Sequence, residues 1–157
     1  MLKKCFSIGS KQLSLTANDV KLIFGIRCGS DYLNTSYICN KNDIPIVRRR
    51  NITSERFAAP EVKSLITSLM TGKNKEDAED VARLLCILLC INLFFSTTAF
   101  YVPWALVHYI EDLNNICKYD WATAIRMHLW NSIQKNSKSL DKVTGCAMVV
   151  LVSTSTN

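Results

Sequence analysis

Cysteine and histidine carry the most specific chemistry in this sequence, and their spacing indicates whether they could hold a metal ion. Cys86 and Cys90 lie four residues apart, so on a helix both thiolates would share one face. A zinc site needs about four ligands, and His108, Cys117 and His128 are the nearby candidates to complete one. Because their neighbours are apolar, the two cysteines are predicted to be buried, unreactive thiols. We therefore expect no metal and no other cofactor.

A cysteine protease would need a nucleophile, a histidine base and a side chain that orients the base. Cys117 or Cys146 could combine with His108 or His128 and with Asp112, but no sequence around them is typical of such an enzyme. Both histidines fall in helical apolar patterns, where packing is the commoner role. The five glycines are scattered and form no phosphate-binding loop. The chain is therefore predicted to be non-enzymatic, and no small-molecule substrate is indicated.

A run of three arginines is the clearest binding signal. Arg48, Arg49 and Arg50 follow each other, with Lys41 before them and Arg56 after them. Guanidinium groups hold phosphates through paired hydrogen bonds, and neutralising phosphates releases counterions. These five residues form the predicted nucleic-acid-binding site. Two alternatives stay open, a nuclear import signal and a solvated loop without a ligand.

The net charge of +6 is unevenly distributed along the chain. Residues 1–56 carry ten Lys and Arg against four Asp and Glu, and residues 57–157 carry nine against nine. A basic surplus of this kind attracts polyanions without specifying which one. Tyr32 and Tyr37 lie in the same basic stretch and could stack on bases, although tyrosines in loops commonly just pack.

The elements that would position these residues are mainly helices. An apolar central helix is predicted over 81–95, a second helix begins at Pro103, and Asp120 can cap a third. Because their connections are short, we expect the three to form one bundle, a helical core over 81–151. A membrane span near 84–107 is the alternative. It is disfavoured because a span needs about 20 predominantly apolar residues, and Asn92 and Pro103 interrupt the run.

The N-terminal third reads as smaller units. Apolar residues on either side of Gly9 predict a small β-hairpin, and Thr16 with Asp19 approximates the capping box of a helix that Gly25 ends. Residues 26–59 lack a sustained period and are predicted to be a basic irregular loop. Pro60 then opens a further helix.

These observations predict a mainly α fold, a helical bundle with a small N-terminal β-hairpin, in one domain over 1–157. The seven cysteines are odd in number and no secretory leader is evident, which favours a reducing compartment. The apolar stretch at 143–152 is either a final helix on the bundle or the end of a truncated larger domain, and we favour truncation.

Three stretches form a pattern known from one family. They are FSIGSKQLSLTANDVKLIFGI at 6–26, LLCILLCINLFFSTTAFYVPWALVHYIEDLNNICKYDWATAI at 84–125 and VTGCA at 143–147. The first contains a TxxDV element and the second an Asp-Trp-Ala element. Across 6–26 and 84–147, which together span just over half of the chain, the sequence resembles the plant mobile domain, also called the aminotransferase-like plant mobile domain.

The resemblance implies a transposon-derived plant protein located in the nucleus, with the cytoplasm as the alternative. Such a domain is expected to act as a protein-interaction or nucleic-acid-associated module. Domains of this family also precede ubiquitin-like-protein-specific cysteine proteases, so an inactive accessory region of such a protein is the alternative function. The chain shows no cofactor lysine in a setting that would match the aminotransferase-like label.

Overall fold

The protein is mainly helical, as predicted. The structure is a computed structural model, and it describes residues 5–8, 11–96, 101–136 and 142–146. Within these residues it has six α-helices: α1 Ala17–Phe24, α2 Pro45–Arg49, α3 Ala59–Leu69, α4 Lys75–Leu89, α5 Trp104–Ile110 and α6 Trp121–Lys135. Short 3-10 turns at Lys41–Asp43 and Ile116–Lys118 connect some of them.

The N-terminus has two assigned strands, β1 Cys5–Ile8 and β2 Lys11–Ser14. The turn between them and the side chains of residues 5–8 and 11–13 lie outside what the structure describes. The predicted hairpin is therefore not supported and stays a prediction. The apolar stretch at 143–152 also lies mostly outside the described residues, so its predicted role as a final helix or a truncated edge is untested.

Contacts divide the chain into two compact units. Unit 1 combines Met1–Tyr32 with Cys117–Asn157, and unit 2 is the intervening Leu33–Ile116. The division passes through the helical core predicted over 81–151, because α4 and α5 belong to unit 2 and α6 belongs to unit 1. Among the described helices, none combines the length and apolar character that crossing a bilayer requires.

In unit 1, α1 packs on α6, and local side chains define both helix starts. Thr16 and Asp19 form a reciprocal capping box, and Gly25 ends α1 with a left-handed backbone at φ 62°. The Asp120 carboxylate accepts from the Thr123 backbone N–H at 3.1 Å, which caps α6 as predicted. These short-range bonds satisfy amides that a helix leaves free at its start.

The buried face of α6 forms most of the described core of unit 1. Trp121, Ile125 and Leu129 recur at spacing four and are almost fully buried, and Val20 of α1 is also fully buried. Farther along α6, the Ser132 hydroxyl accepts from the Thr144 backbone N–H at 2.7 Å. This bond ties the described C-terminal segment 142–146 to α6.

In unit 2, α4 packs against α3 and α5. It begins at Lys75, six residues before the predicted start, because Asn74 caps it through the Asp77 backbone N–H at 2.7 Å. Its C-terminal end widens into a π-helical turn over Cys90–Phe94, which the predicted helix 81–95 did not anticipate. Leu84, Ile87 and Ile91 are almost fully buried, so this helix carries the core of the unit.

The stretch 26–59 contains more regular structure than the predicted irregular loop. A 3-10 turn at Lys41–Asp43 leads into α2, which begins at Pro45. Ile46 and Val47 are almost fully buried, so packing stabilises a helix that is too short to show a period in the sequence.

Candidate functional site

The predicted basic site lies at the C-terminal end of α2. Successive residues of an α-helix point about 100° apart, so three consecutive arginines cannot share one face. Arg48 is exposed, whereas Arg49 and Arg50 are largely buried, with 23% and 16% of their side chains accessible. The three arginines that are adjacent in sequence therefore have different surroundings.

Asp80 of α4 is the acceptor for two of them. Its carboxylate is fully buried. Arg49 donates to both carboxylate oxygens, from Nε at 2.9 Å and from Nη2 at 2.5 Å, and Arg50 Nε donates to Oδ2 at 2.6 Å. Arg83 Nη1 adds a fourth bond to Oδ1 at 3.0 Å. Four donors fill the lone-pair positions that a carboxylate offers.

Further carboxylates surround these three arginines. Arg50 Nη2 lies 2.7 Å from Asp77 Oδ1, an ion pair whose angle falls outside hydrogen-bond geometry. Arg83 Nε donates to the Glu111 backbone carbonyl at 2.7 Å, after the end of α5. Glu76, Glu79 and the Glu111 side chain complete the set at 3.6 Å from Arg49 or Arg83. We call these three arginines and five carboxylates the Asp80 cluster.

Electrostatics keeps the members of the Asp80 cluster charged. Burial alone would raise the pKa of Asp80, but the hydrogen bonds and charges of Arg49 and Arg50 outweigh it and hold that pKa below its ordinary value. The hydrogen bonds that Arg49 donates to Asp80 raise the pKa of Arg49. For Arg50, burial acts to lower the pKa, but the interactions with the Asp80 and Asp77 carboxylates outweigh burial and raise that pKa.

The Asp80 cluster makes two arginines of the run, Arg49 and Arg50, less available for binding phosphate. Three guanidinium groups face five carboxylates, so the cluster as a whole has an acidic excess. A phosphate approaching Arg49 or Arg50 would have to displace an intramolecular carboxylate that is already optimally bonded. These two residues are used inside unit 2, where they join α2 to α4.

The other three predicted residues have different neighbours. Arg48 forms no ion pair among the described residues and lines an open cleft of about 470 Å³. Lys41 lines the same cleft, where its ammonium donates to Thr53 O at 3.2 Å and Glu55 Oε1 at 2.5 Å. Arg56 is exposed and lies over the Tyr101 ring, 5.5 Å from the ring centroid. Arg48 and Arg56 thus remain accessible to an anion.

The two tyrosines of the basic stretch also differ. Tyr37 packs on His108, with 5.2 Å between ring centroids, and keeps 45% of its surface exposed. Tyr32 is 79% exposed and belongs to the other unit. Base stacking by these residues stays a prediction.

The cysteines considered for metal binding are held as thiols. Burial raises the pKa of both Cys86 and Cys90, and for Cys90 the nearby Cys86 raises it further. Among the described residues, no group of three or more metal-ligating side chains could hold an ion. Of the candidate nucleophiles, Cys117 is exposed and Cys146 is buried beside Gly145.

The division into units also divides the charge. Unit 1 carries ten Lys and Arg against four Asp and Glu, whereas unit 2 carries nine against nine. The whole net charge of +6 therefore belongs to unit 1, and the unit that contains the arginine run is neutral. Arg27, Lys118, Lys135 and Lys142 are exposed cations of unit 1.

Asp80 is the residue that sequence reasoning missed. The run KNKEDAED at 73–80 precedes the central helix predicted over 81–95, but the structure places its acids in the first turns of α4. The sequence did contain an indication of this pairing, because the acidic residues of 73–80 and the arginines of 48–50 have opposite charges and attract each other. Nothing in the sequence, however, specifies that they face each other.

Residues 1–151 match a family model described as a domain of unknown function, DUF8566. Neither the curated proteins nor the solved structures contain a match to this chain.

The resemblance to the plant mobile domain is therefore wrong, because the family model that covers the chain is a different one. The reason lies in the matching pieces themselves. TxxDV holds the capping box of α1, and Asp120-Trp121-Ala122 is a cap followed by two core residues. Such elements start helices in any helical domain. The expectations of plant and transposon origin lose the resemblance on which they depended.

Proposed function

Because this chain belongs to the DUF8566 family, a domain family of unknown function, we propose its role from its own charges: a non-enzymatic module that binds nucleic acid. The single observation that carries the proposal is the division of charge. All of the basic surplus lies in unit 1, whose sequence has ten Lys and Arg against four Asp and Glu. Nucleic acid is the polyanion to which such a surplus contributes most, through counterion release.

Unit 2 contributes less to this role than the sequence predicts. Arg49 and Arg50 have carboxylate partners in the Asp80 cluster, so of the predicted binding residues Arg48 and Arg56 are the exposed candidates. The free energy of phosphate binding is more favourable for a solvent-exposed cation without an acidic neighbour than for a cation whose ion pair with a carboxylate must first be broken.

Two variants of equal charge change test the proposal. In the first, the exposed unit 1 cations Arg27, Lys118, Lys135 and Lys142 are replaced by glutamine. In the matched control, the exposed unit 2 cations Arg48, Arg56, Lys63 and Lys73 are replaced by glutamine. Fluorescence anisotropy with single-stranded and duplex oligonucleotides at 50 and 200 mM salt compares them with the parent chain.

We expect salt-dependent binding by the parent chain and a loss in the unit 1 variant. Each phosphate contact contributes about 0.9 to the slope of log K against log salt for duplex DNA, so four lost contacts lower that slope by up to about 4. The unit 2 variant should keep most of its affinity. Absence of salt-dependent binding in the parent chain would refute the function, and a larger loss in the unit 2 variant would place the binding site among the exposed cations of unit 2.

A nuclear location suits a nucleic-acid-binding module, and imaging of the tagged full chain would test it. We also propose the small N-terminal β-hairpin over 5–14, which contains Lys11, one of the ten Lys and Arg of unit 1. Binding to a protein partner is the remaining role. It differs from nucleic-acid binding in its weak dependence on salt when the interface is apolar.

A further inference from the structure

The open cleft in unit 2 has the features of a site for one small anion. It has a volume of about 470 Å³, within the range of small-ligand sites. Val47 and Ile52 supply its apolar surface, and its polar lining includes two cations, Lys41 and Arg48, with a single carboxylate, Glu55. The polar groups thus carry one excess positive charge.

Arg48 is prepared for an anion by the fold around it. Its neighbours Arg49 and Arg50 are bonded within the Asp80 cluster, which fixes the end of α2, while Arg48 has no ion pair among the described residues. A guanidinium group presents a planar fork of donors that matches two oxygens of a phosphate. The fold therefore fixes the backbone of Arg48 at the cleft, and among the described residues no carboxylate neutralises its guanidinium group.

Lys41 supplies the second cation. Its side chain is only 14% exposed, and its ammonium has three donors, of which two are occupied by Thr53 O and Glu55 Oε1. The Glu55 side chain is 84% exposed, so its bond to Lys41 is screened by water and contributes little. Glu55 is an exchangeable counterion that a stronger anion can replace.

We propose that this cleft binds the phosphate group of a small organic phosphate between Lys41 and Arg48, and that Glu55 competes with the ligand for Lys41. Two cations suit a phosphate monoester dianion better than a monoanionic carboxylate. The cleft is also much larger than a single ion, and the exposed Asn42 and Asn51 at its wall offer amide groups to the ester substituent. This site is independent of the basic surplus in unit 1 and goes beyond the nucleic-acid role.

Isothermal titration with adenosine 5′-monophosphate tests the proposal, with inorganic phosphate and adenosine as separate arms. Losing one charge-assisted hydrogen bond should weaken binding about tenfold in Arg48→Gln and in Lys41→Met. Glu55→Gln should tighten binding several-fold, because it removes the internal competitor. The matched controls are Lys63→Gln, which removes an exposed cation outside the cleft, and Glu61→Gln, which keeps the α3 capping bond.

The arms distinguish the possible sources of affinity. Binding of both the nucleotide and inorganic phosphate supports recognition of the phosphate group. Adenosine that binds as tightly as the nucleotide would overturn the proposal. So would a loss of nucleotide binding in Lys63→Gln equal to that in Arg48→Gln, or a gain in Glu61→Gln equal to that in Glu55→Gln. Lys41 is largely buried, so Arg48→Gln, at an exposed position, gives the decisive result if Lys41→Met fails to fold. The nucleic-acid proposal is unaffected by either result, since its test depends on unit 1 cations.

Discussion

Asp80→Asn is expected to destabilise the protein by about 3 kcal/mol, because it removes the charge of a fully buried carboxylate that four arginine N–H groups share. The amide has nearly the same shape, but it has one acceptor oxygen and turns its own donors toward the arginines. The arginine side chains keep 13% to 23% of their surface, so water relieves part of the cost. For this reason we expect the lower end of the range for broken buried pairs.

Urea unfolding at neutral pH measures this effect, with Asp43→Asn as the matched control. Asp43 is an exposed aspartate of the same unit, and its substitution should change the unfolding free energy by less than about 0.5 kcal/mol. Equal stability of the two variants would contradict the role of the Asp80 cluster as the attachment of α2 to α4.

The contribution of Asp80 should also depend on pH. Although burial opposes it, bonding to Arg49 and Arg50 lowers the pKa of Asp80 in the folded protein. The unfolded chain therefore binds a proton at higher pH than the folded one, and the stabilisation is present above the ordinary aspartate pKa of about 3.9. It is lost as the pH falls toward the folded pKa. The difference in unfolding free energy between the parent chain and Asp80→Asn should narrow below about pH 4, and a constant difference would exclude this linkage.

Gly29→Ala should destabilise unit 1 by about 2 to 3 kcal/mol, because a methyl group at this position meets the backbone of another segment. An ideal Cβ on Gly29 would overlap the Lys118 carbonyl oxygen. The two segments are joined nearby by bonds from Asp31 N to Lys118 O at 3.0 Å and from Asp120 N to Asp31 O at 2.8 Å. A backbone carbonyl cannot rotate away as a side chain can, so these bonds must be disturbed.

Thermal and urea unfolding of Gly29→Ala and Ser30→Ala test whether the destabilisation comes from the approach of Gly29 to the Lys118 backbone or from any substitution in this segment. Ser30 is exposed, and we expect its replacement to be tolerated within about 0.5 kcal/mol. Because Asp120 caps α6, the Gly29 variant should also lose helical signal at the α6 N-terminus. Wild-type stability of Gly29→Ala would show that the two segments do not approach so closely.

The starts of α1 and α6 were predictable because the groups that form them are neighbours in sequence. Thr16 and Asp19 bond to each other's backbone across three residues, and Asp120 bonds to Thr123 across three. These two caps form within one helical turn and do not depend on distant segments, so their residue types were sufficient to predict them. The same locality explains the wrong family assignment, because motifs that cap and begin helices are shared by unrelated helical domains.

Long-range pairing was not predictable. Arg49 and Arg50 lie about thirty residues from Asp80, and whether they bind phosphate or a carboxylate depends on which face of α4 meets α2. The short α2 escaped detection because five residues span little more than one turn, too few to show a period. A sequence can indicate that opposite charges are available, but it does not state which of them are buried together.

The sequence by itself determined a mainly helical chain, the caps of α1 and α6, and a net charge of +6. Each of these follows from composition or from side chains within four residues of one another. Only the tertiary structure decided that this charge belongs to unit 1 and that two of the three arginines are neutralised within unit 2. Burial and ion pairing are set by contacts between segments that are distant in sequence, and these contacts exist only once the chain has folded.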